Sequence, residues 1–156
     1  MEIIKGNLIT LAQACEFDVI AHGCNCFCTM GAGIAPQMAK AFGANQFHLE
    51  NEMQRGVYNK LGQIDFAKIP IGDNELVVVN AYTQFGFGRN HKNGSQTPLD
   101  YVALEMCMKK INHYFKGKHV GLPWIGCGLA GGDKNKVADI LKRTLTDVKL
   151  TIVELH

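Results

Sequence analysis

The chain has 156 residues, of which 47% are hydrophobic and 19% are charged, and its formal net charge is +2 at pH 7. These values are typical of one folded domain and exclude a disordered or fibrous protein. The small net charge argues against a nucleic-acid partner, and no apolar run approaches the roughly 18–20 residues of a membrane-spanning helix. Because the first residues also lack the layout of a signal peptide, we expect a single domain over residues 1–156 that stays in the cytoplasm.

Short β-rich runs alternate with helix-length segments along the whole chain. The predicted strands are Glu2–Lys5, Val19–Ala21, Gln63–Ile69, Glu75–Tyr82, His119–Pro123 and Lys149–Leu155. The predicted helices are Ile34–Phe42, Gln46–Arg55, Leu99–Phe115 and Lys136–Leu145. This alternation predicts an α/β fold, in which helices cover both faces of a parallel or mixed sheet.

The third predicted helix has the clearest apolar periodicity. Val102 and Met106 are predicted to face the sheet, and Lys109 and Lys110 to lie on the opposite face. Thr97 and Pro98 are predicted to begin this helix, because a capping hydroxyl followed by proline satisfies the exposed amides.

Two further connections carry turn or loop residues. Asp73-Asn74 predicts a hairpin turn, and the segment from Gly86 to Gly94 predicts an exposed loop. Arg89, His91 and Lys92 in that loop could steer an anionic ligand or only keep the loop solvated. Phe85 and Phe87 beside this loop are candidates to stack on a ligand. Core packing is expected for Tyr82 and for Trp124, which follows the predicted strand His119–Pro123.

The six cysteines are too sparse for a disulfide scaffold, so we expect free thiols. Cys24, Cys26 and Cys28 alternate along the chain, which on a strand would place them on one face. A metal site is the alternative to small apolar packing, but no second CxxC pair or HxxxH motif accompanies them. We therefore predict no metal site.

The most informative segment runs from Ala21 to Ala35, where a strand enters a glycine loop that leads into a helix. Glycine lets the backbone approach a ligand closely, and the amides at a helix N-terminus attract phosphate. A second loop, from Pro123 to Asp133, has the same order. The two loops together predict a pyrophosphate site at the carboxyl ends of neighbouring strands, with ordinary turns as the alternative.

Neither loop contains the Gly-Lys-Ser/Thr of a P-loop or a full GxGxxG, which disfavours a plain ATPase or dehydrogenase. Four stretches instead resemble the macro domain family, in the family's order. They are Lys5 to Thr10, His22 to Cys26, Met30 to Ala35, and Pro123 to Gly132. The resemblance is to the branch that includes ADP-ribose-1″-phosphate phosphatases, and it implies a three-layer α/β/α sandwich with a mixed central sheet and an ADP-ribose cleft.

The resemblance also implies roles for individual residues. Asn7, where the family usually has aspartate, would accept a hydrogen bond from the adenine amino group, with Leu8 beside it. Asn25 would place the distal ribose. The two loops that would wrap the diphosphate and ribose contain Gly31, Ala32, Gly33 and Ile34 in the first and Gly126, Cys127, Gly128, Leu129 and Ala130 in the second.

The predicted catalytic residues are His22 and Asp133. His22 corresponds to a histidine of the phosphatase branch and could act as general acid or base beside the distal ribose. Asp133 could pair with His22, or it could only cap the helix that follows. A related branch uses a lysine and an aspartate where this chain has Gln84 and Ala130, so a lysine-adduct mechanism is not supported.

The resemblance therefore implies a hydrolase that removes the 1″-phosphate from ADP-ribose-1″-phosphate without a metal or other cofactor, and we expect it to be a monomer. The alternatives are removal of an acetyl group or a protein side chain from ADP-ribose in the same cleft, and a pure ADP-ribose-binding module. A nucleic-acid-binding domain is a third reading, which would show strongly salt-dependent affinity.

Overall fold

The computed structural model describes residues 1–50, 55–87 and 97–155. The strands are β1 (Glu2–Lys5), β2 (Val19–Asn25), β3 (Ile64–Ile71), β4 (Asn74–Gln84), β5 (His119–Leu122) and β6 (Lys149–Glu154). The α-helices are α1 (Leu8–Gln13), α2 (Ala35–Phe42), α3 (Phe47–Glu50), α4 (Tyr101–Tyr114) and α5 (Lys134–Thr144). Short 3-10 helices cover Ala44–Gln46 and Tyr58–Lys60.

The six strands form one mixed sheet in the order β1-β6-β5-β2-β4-β3. The four pairings from β1 to β4 are parallel, and β3 is antiparallel to β4. The β3–β4 hairpin places Ile71 opposite Asn74, so its turn is Gly72-Asp73, one residue before the predicted pair. Because five strands share one direction, the segments after β2 and β5 leave the same edge of the sheet side by side.

Apolar side chains cover both faces of the sheet, as the prediction of a three-layer α/β/α fold requires. One core joins the sheet to α4 and α5 and includes Val79, Leu104 and Leu141. The other joins it to α1 and α2 and includes Ile20, Leu8 and Met38. The predicted fold class is therefore confirmed.

Helix α4 differs from its prediction in two respects. Its N-cap is Asp100, whose carboxylate accepts a hydrogen bond from the Ala103 amide, so the predicted start at Thr97 and Pro98 was wrong. Val102 and Met106 are exposed, whereas Leu104, Met108 and others face the core. The prediction of the buried helix face was wrong, because the buried side chains lie one position further along the chain than Val102 and Met106.

Helix α1 was not among the predicted helices, and only part of the predicted Gln46–Arg55 helix is described. Asn7 begins α1 by accepting a hydrogen bond from the Thr10 amide at 3.0 Å.

Among the described residues, no helix is both long enough and apolar enough to cross a membrane.

Candidate functional site

Asn25 ends β2 and folds the chain into a turn over residues 25–29. Its Oδ1 accepts hydrogen bonds from the amides of Phe27 at 3.0 Å and Thr29 at 3.4 Å. Its Nδ2 donates to the carbonyl oxygen of Thr29 at 3.0 Å. Both ends of this buried amide therefore hold the 25–29 turn, and the predicted contact between Asn25 and a ribose stays a prediction.

The first glycine loop follows this turn and leads into α2. Gly31, Ala32 and Gly33 are exposed, and Gly33 has φ +64°, a conformation that glycine adopts without strain. Among hydrogen bonds between described residues, none uses the amides of these three residues or of Ile34. Ile34 is the N-cap of α2 and supplies no side-chain cap. The loop from Gly31 to Ile34 thus presents open amides just before α2, which favour an anion, whereas in the first turn of the helix Pro36 has no amide hydrogen and the Gln37 amide donates to the Ile34 carbonyl.

The second glycine loop leaves β5 beside the first. It is closed by hydrogen bonds from the Gly131 amide to the Gly128 carbonyl at 3.0 Å and from the Gly132 amide to the Gly126 carbonyl at 2.6 Å. A Cβ at Gly132 would lie 2.7 Å from the Gly126 carbonyl oxygen, so the loop can close only because Gly132 lacks a side chain. The second loop is therefore closed by its own backbone hydrogen bonds.

The predicted contact residues of the second loop differ in exposure. Leu129 is 82% exposed and Gly128 is exposed, whereas Gly126 and Cys127 are half-buried and the Ala130 side chain is buried. A Cβ at Gly128, like one at Gly31, would meet no atom within 4 Å. Both loops are therefore open to solvent at Gly31 and at Gly128.

Asp133, at the end of the second loop, is the N-cap of α5. Its Oδ1 accepts hydrogen bonds from the amides of Asn135 at 2.8 Å and Lys136 at 3.2 Å. Its own amide donates to the hydroxyl of Tyr101 at 2.9 Å. The predicted pair with His22 does not occur among these contacts, and the carboxylate instead occupies the start of α5, where it opposes a second anion.

His22 lies within β2 and is completely buried, three residues before the strand ends. Its Nε2 lies 2.7 Å from Asn80 Oδ1. Because Asn80 Nδ2 donates to the Ala44 carbonyl at 2.8 Å, we assign Oδ1 as the acceptor and the proton to His22 Nε2. Burial lowers the pKa of His22 to about 4, and the Asn80 bond only partly opposes this.

The geometry of His22 corrects part of its prediction. The imidazole is neutral at pH 7 and has no exposed surface, whereas the prediction placed it at the strand end beside the ribose. Its acid–base role stays a prediction, and its contacts in this structure are those of a residue that holds β2 against Asn80 and Cys24.

At the start of the chain, Asn7 and Leu8 have different surroundings. Asn7 is exposed, and after capping α1 its Oδ1 retains one lone pair that can accept from an adenine amino group. The Leu8 side chain is 3% exposed and packs in the core, so only its backbone is available to a ligand. The prediction for Leu8 is therefore restricted to its main chain.

Aromatic rings form a cluster beside the 25–29 turn. Tyr58 stacks on Phe85 with ring centroids 3.9 Å apart, and Phe27 contacts Phe85 and Phe87 edge to face. Phe85 is buried, whereas Phe27, Tyr58 and Phe87 are exposed. Of these rings, the sequence indicated only Phe85 and Phe87 as candidates to stack on a ligand. Tyr58 comes from a distant segment of the chain, so no local pattern indicates its contact with Phe85.

The core packing expected for Tyr82 is confirmed, since its ring is fully buried. Trp124 is only partly buried, against the core that joins the sheet to α4 and α5, and it donates to Glu154 Oε1 at 2.6 Å. Gln84 is half-buried and donates to the Gly86 carbonyl. The predicted loop residues Arg89, His91 and Lys92 lie outside the described residues.

All six cysteines are free thiols. Cys24, Cys26 and Cys28 are buried together with Tyr82 and Phe85, which matches their interpretation as small apolar residues. Within residues 1–50, 55–87 and 97–155, no three His, Cys, Asp or Glu side chains are grouped closely enough to hold a metal ion.

The chain is similar to known proteins both in sequence and in structure. The chain is 31% identical over 158 residues to a 17.5 kDa protein of the tk-vs intergenic region of Enterobacteria phage T4, covering 99% of this chain and 96% of that protein. No family model matches the chain.

The similar solved structures share less sequence. A protein of Bacteroides thetaiotaomicron is 24% identical with a TM-score of 0.73, and each chain is covered to 99%. The macrodomain of Thermus aquaticus DarG is 18% identical with a TM-score of 0.69, covering 99% of this chain and 96% of that one. Thermosipho africanus DarTG, in complex with ADP-ribose, is 14% identical with a TM-score of 0.71, covering 99% of this chain and 41% of that one.

Proposed function

This chain has the macro domain fold and belongs to one family with the phage T4 protein, and from that premise we propose that it is an ADP-ribose-binding hydrolase. Its proposed reaction removes the 1″-phosphate from ADP-ribose-1″-phosphate. The observation that carries the proposal is the row of open amides from Gly31 to Ile34 at the uncapped start of α2. The ADP-ribose in the DarTG structure supports the choice of ligand.

The two loops are suited to a diphosphate for different reasons. Open amides and the positive end of α2 favour the negative charge of the phosphates at the first loop. The second loop carries its own internal hydrogen bonds, so it offers a preformed wall with the exposed Gly128 and Leu129 at its tip. A preformed wall orders few groups on binding and so loses little entropy.

The remaining predicted contacts are distributed around this cleft. Asn7 would accept from the adenine amino group, and the Leu8 backbone would lie beside it. The turn held by Asn25 would place the distal ribose between the two loops. We further propose that the protein acts as a cytoplasmic monomer formed by one domain over residues 1–156.

In the proposed reaction a water oxygen forms a bond to phosphorus while the bond from phosphorus to the ribose oxygen breaks. The proton of the water passes to the ribose oxygen, and the products are ADP-ribose and phosphate. Backbone amides near the distal ribose would stabilise charge that develops on the phosphoryl oxygens. For His22, the contacts with Asn80 and Cys24 support a positioning role better than proton transfer.

Binding is tested first, by calorimetric titration of ADP-ribose into the wild type and two charged variants. Gly31→Glu and Gly128→Glu add a carboxylate to open loops, and Gly31→Gln and Gly128→Gln are neutral controls of the same size. We expect each Glu variant to bind more weakly than its Gln partner, by about tenfold at Gly31, equivalent to about 1.4 kcal/mol of repulsion, and by less at Gly128. Equal affinities within both pairs would place the ligand elsewhere.

Catalysis is tested by phosphate release from ADP-ribose-1″-phosphate, with wild type, His22→Ala and His22→Gln. Release that His22→Gln retains and His22→Ala loses would support positioning. Loss in both variants, with intact folding, would support the predicted acid–base role. Binding without release would identify an ADP-ribose-binding module, or a hydrolase for another distal group that release of acetate or a protein side chain would reveal.

A further inference from the structure

A buried charged cluster lies behind the 25–29 turn. Lys60 and Asp65 are each 2% exposed. The Lys60 ammonium lies 4.8 Å from the centroid of the Tyr82 ring, and the Tyr82 hydroxyl donates to Asp65 Oδ2 at 2.7 Å. Neither Lys60 Nζ nor Asp65 Oδ1 has a hydrogen-bond partner in the described part of the chain. The tyrosine ring is thus the link between the two charges.

The three residues depend on one another physically. A buried ammonium without hydrogen bonds is unfavourable unless other charges compensate it. The face of the Tyr82 ring attracts the ammonium, and the bond from its hydroxyl to a carboxylate increases the electron density of that ring. Burial raises the pKa of Tyr82, so its hydroxyl keeps its proton and remains the donor to Asp65.

The cluster also contacts the chain that forms the cleft. Tyr82 on β4 pairs with Cys24 on β2 in the sheet register. The Cys28 thiol donates a hydrogen bond to the Tyr82 hydroxyl oxygen at 3.8 Å. The Gly56 amide, shortly before the Tyr58–Lys60 helix, donates to the Cys26 carbonyl at 2.8 Å. The 25–29 turn is therefore held between β4 and the segment that carries Lys60.

We propose that Lys60, Tyr82 and Asp65 act together as positioning residues for the 25–29 turn, and through it for the first glycine loop. The cluster joins three separate elements, since Asp65 lies on β3, Tyr82 on β4 and Lys60 in a 3-10 helix. Its effect on ligand affinity rests on the proposed function, whereas its effect on the turn does not.

The turn is tested through the chain's own thiols, by alkylation with iodoacetamide resolved by mass spectrometry. Cys26 and Cys28 report on the turn, exposed Cys15 gives the unprotected rate, and buried Cys107 on α4 reports on global unfolding. Tyr82→Phe removes only the hydroxyl. We expect Cys26 and Cys28 to react about tenfold faster in this variant, as loss of one buried hydrogen bond allows, with the Cys107 rate unchanged.

Thr144→Val is the matched control, because it removes a buried hydroxyl that donates to the Ile140 carbonyl in the last turn of α5. It should leave Cys26 and Cys28 protected. Unchanged rates in Tyr82→Phe, or rates that rise together with that of Cys107, would overturn the proposal. The charge link is tested by Lys60→Met and Asp65→Asn, whose combination should restore protection that each single change loses.

Ligand affinity is measured in the same proteins by calorimetry with ADP-ribose. We expect Tyr82→Phe to weaken binding about tenfold, in step with its thiol rates, and Thr144→Val to bind like the wild type. Unchanged affinity despite faster thiol reaction would overturn the connection to the cleft. If the wild type does not bind ADP-ribose, the proposed function fails, while the thiol rates still decide the role of the cluster.

Discussion

Acidification should destabilise this protein through His22. The imidazole is fully buried, and its side-chain contacts among the described residues are with Asn80 and Cys24. None of these neighbours supplies a negative charge to compensate an imidazolium at neutral pH. Protonation in the folded state is therefore unfavourable, whereas an unfolded chain accepts the proton freely.

The sign and size follow from the pKa of His22, which falls from 6.5 to about 4 on folding. Between these values the unfolded chain binds more protons, so the free energy of unfolding rises with pH. The contribution is complete above about pH 6.5 and is lost as pH falls towards 4. This decrease in the pKa of His22 corresponds to a loss of about 3 kcal/mol in the free energy of unfolding at low pH, which is a large fraction of the stability of a typical domain.

The assay is urea denaturation of wild type and His22→Gln between pH 7 and pH 4, since glutamine can bond to Asn80 but does not titrate. The pKa of His48 is also lowered by burial and acts in the same direction, whereas the raised pKa of Asp65 makes stability fall as pH rises. The difference between the two proteins isolates His22. Equal pH dependence in both would refute the reasoning, and a variant at exposed His113 should behave like the wild type.

Three further substitutions test the local structure. Asp133→Ala should lower the free energy of unfolding by about 1 kcal/mol, because α5 loses its N-cap. The rate of phosphate release should stay within about twofold of wild type. A large loss of phosphate release would instead show that the carboxylate is catalytic. Asp100→Ala should lower the free energy of unfolding by a similar amount in urea denaturation, because α4 loses its N-cap. An unchanged free energy of unfolding would support Thr97 as the N-cap instead. Gly23→Ala should cost about 1–3 kcal/mol, because its Cβ would lie 2.8 Å from Thr83 Oγ1 and 2.9 Å from Ile125 Cγ2. The control Gly128→Ala, in open space, should change stability by less than about 0.5 kcal/mol, and equal melting temperatures for the two variants would contradict the packing argument.

The strands were predictable because their apolar runs are local signals. β1 has the predicted bounds, and β5 ends one residue earlier than predicted. β2 extends past the predicted Ala21 to Asn25 because His22 and Cys24 pair with Asn80 and Tyr82 of β4. Polar residues that find partners from distant strands do not look like strand residues in sequence.

The features that sequence did not predict depend on long-range contacts. Lys60 reads as a surface lysine, and only the approach of Tyr82 and Asp65 makes it interior. The sequence suggests that His22 is a site residue because it precedes a glycine loop, but the side chain is buried and bonds to Asn80, whose amide donates to the Ala44 carbonyl. Asn80 lies 58 positions from His22 in sequence, so no local pattern indicates its burial.

The two glycine loops are similar in sequence, but the structure gives them different capacities for an anion. The second loop ends at Asp133, whose carboxylate already satisfies amides at the start of α5 and repels further negative charge. The first loop ends at Ile34, whose side chain caps nothing, and no hydrogen bond among the described contacts uses the amides of Gly31 to Ile34, which are therefore available to a phosphate. Charge attraction should therefore come from the first loop and shape from the second, which is why Gly31→Glu should weaken binding more than Gly128→Glu.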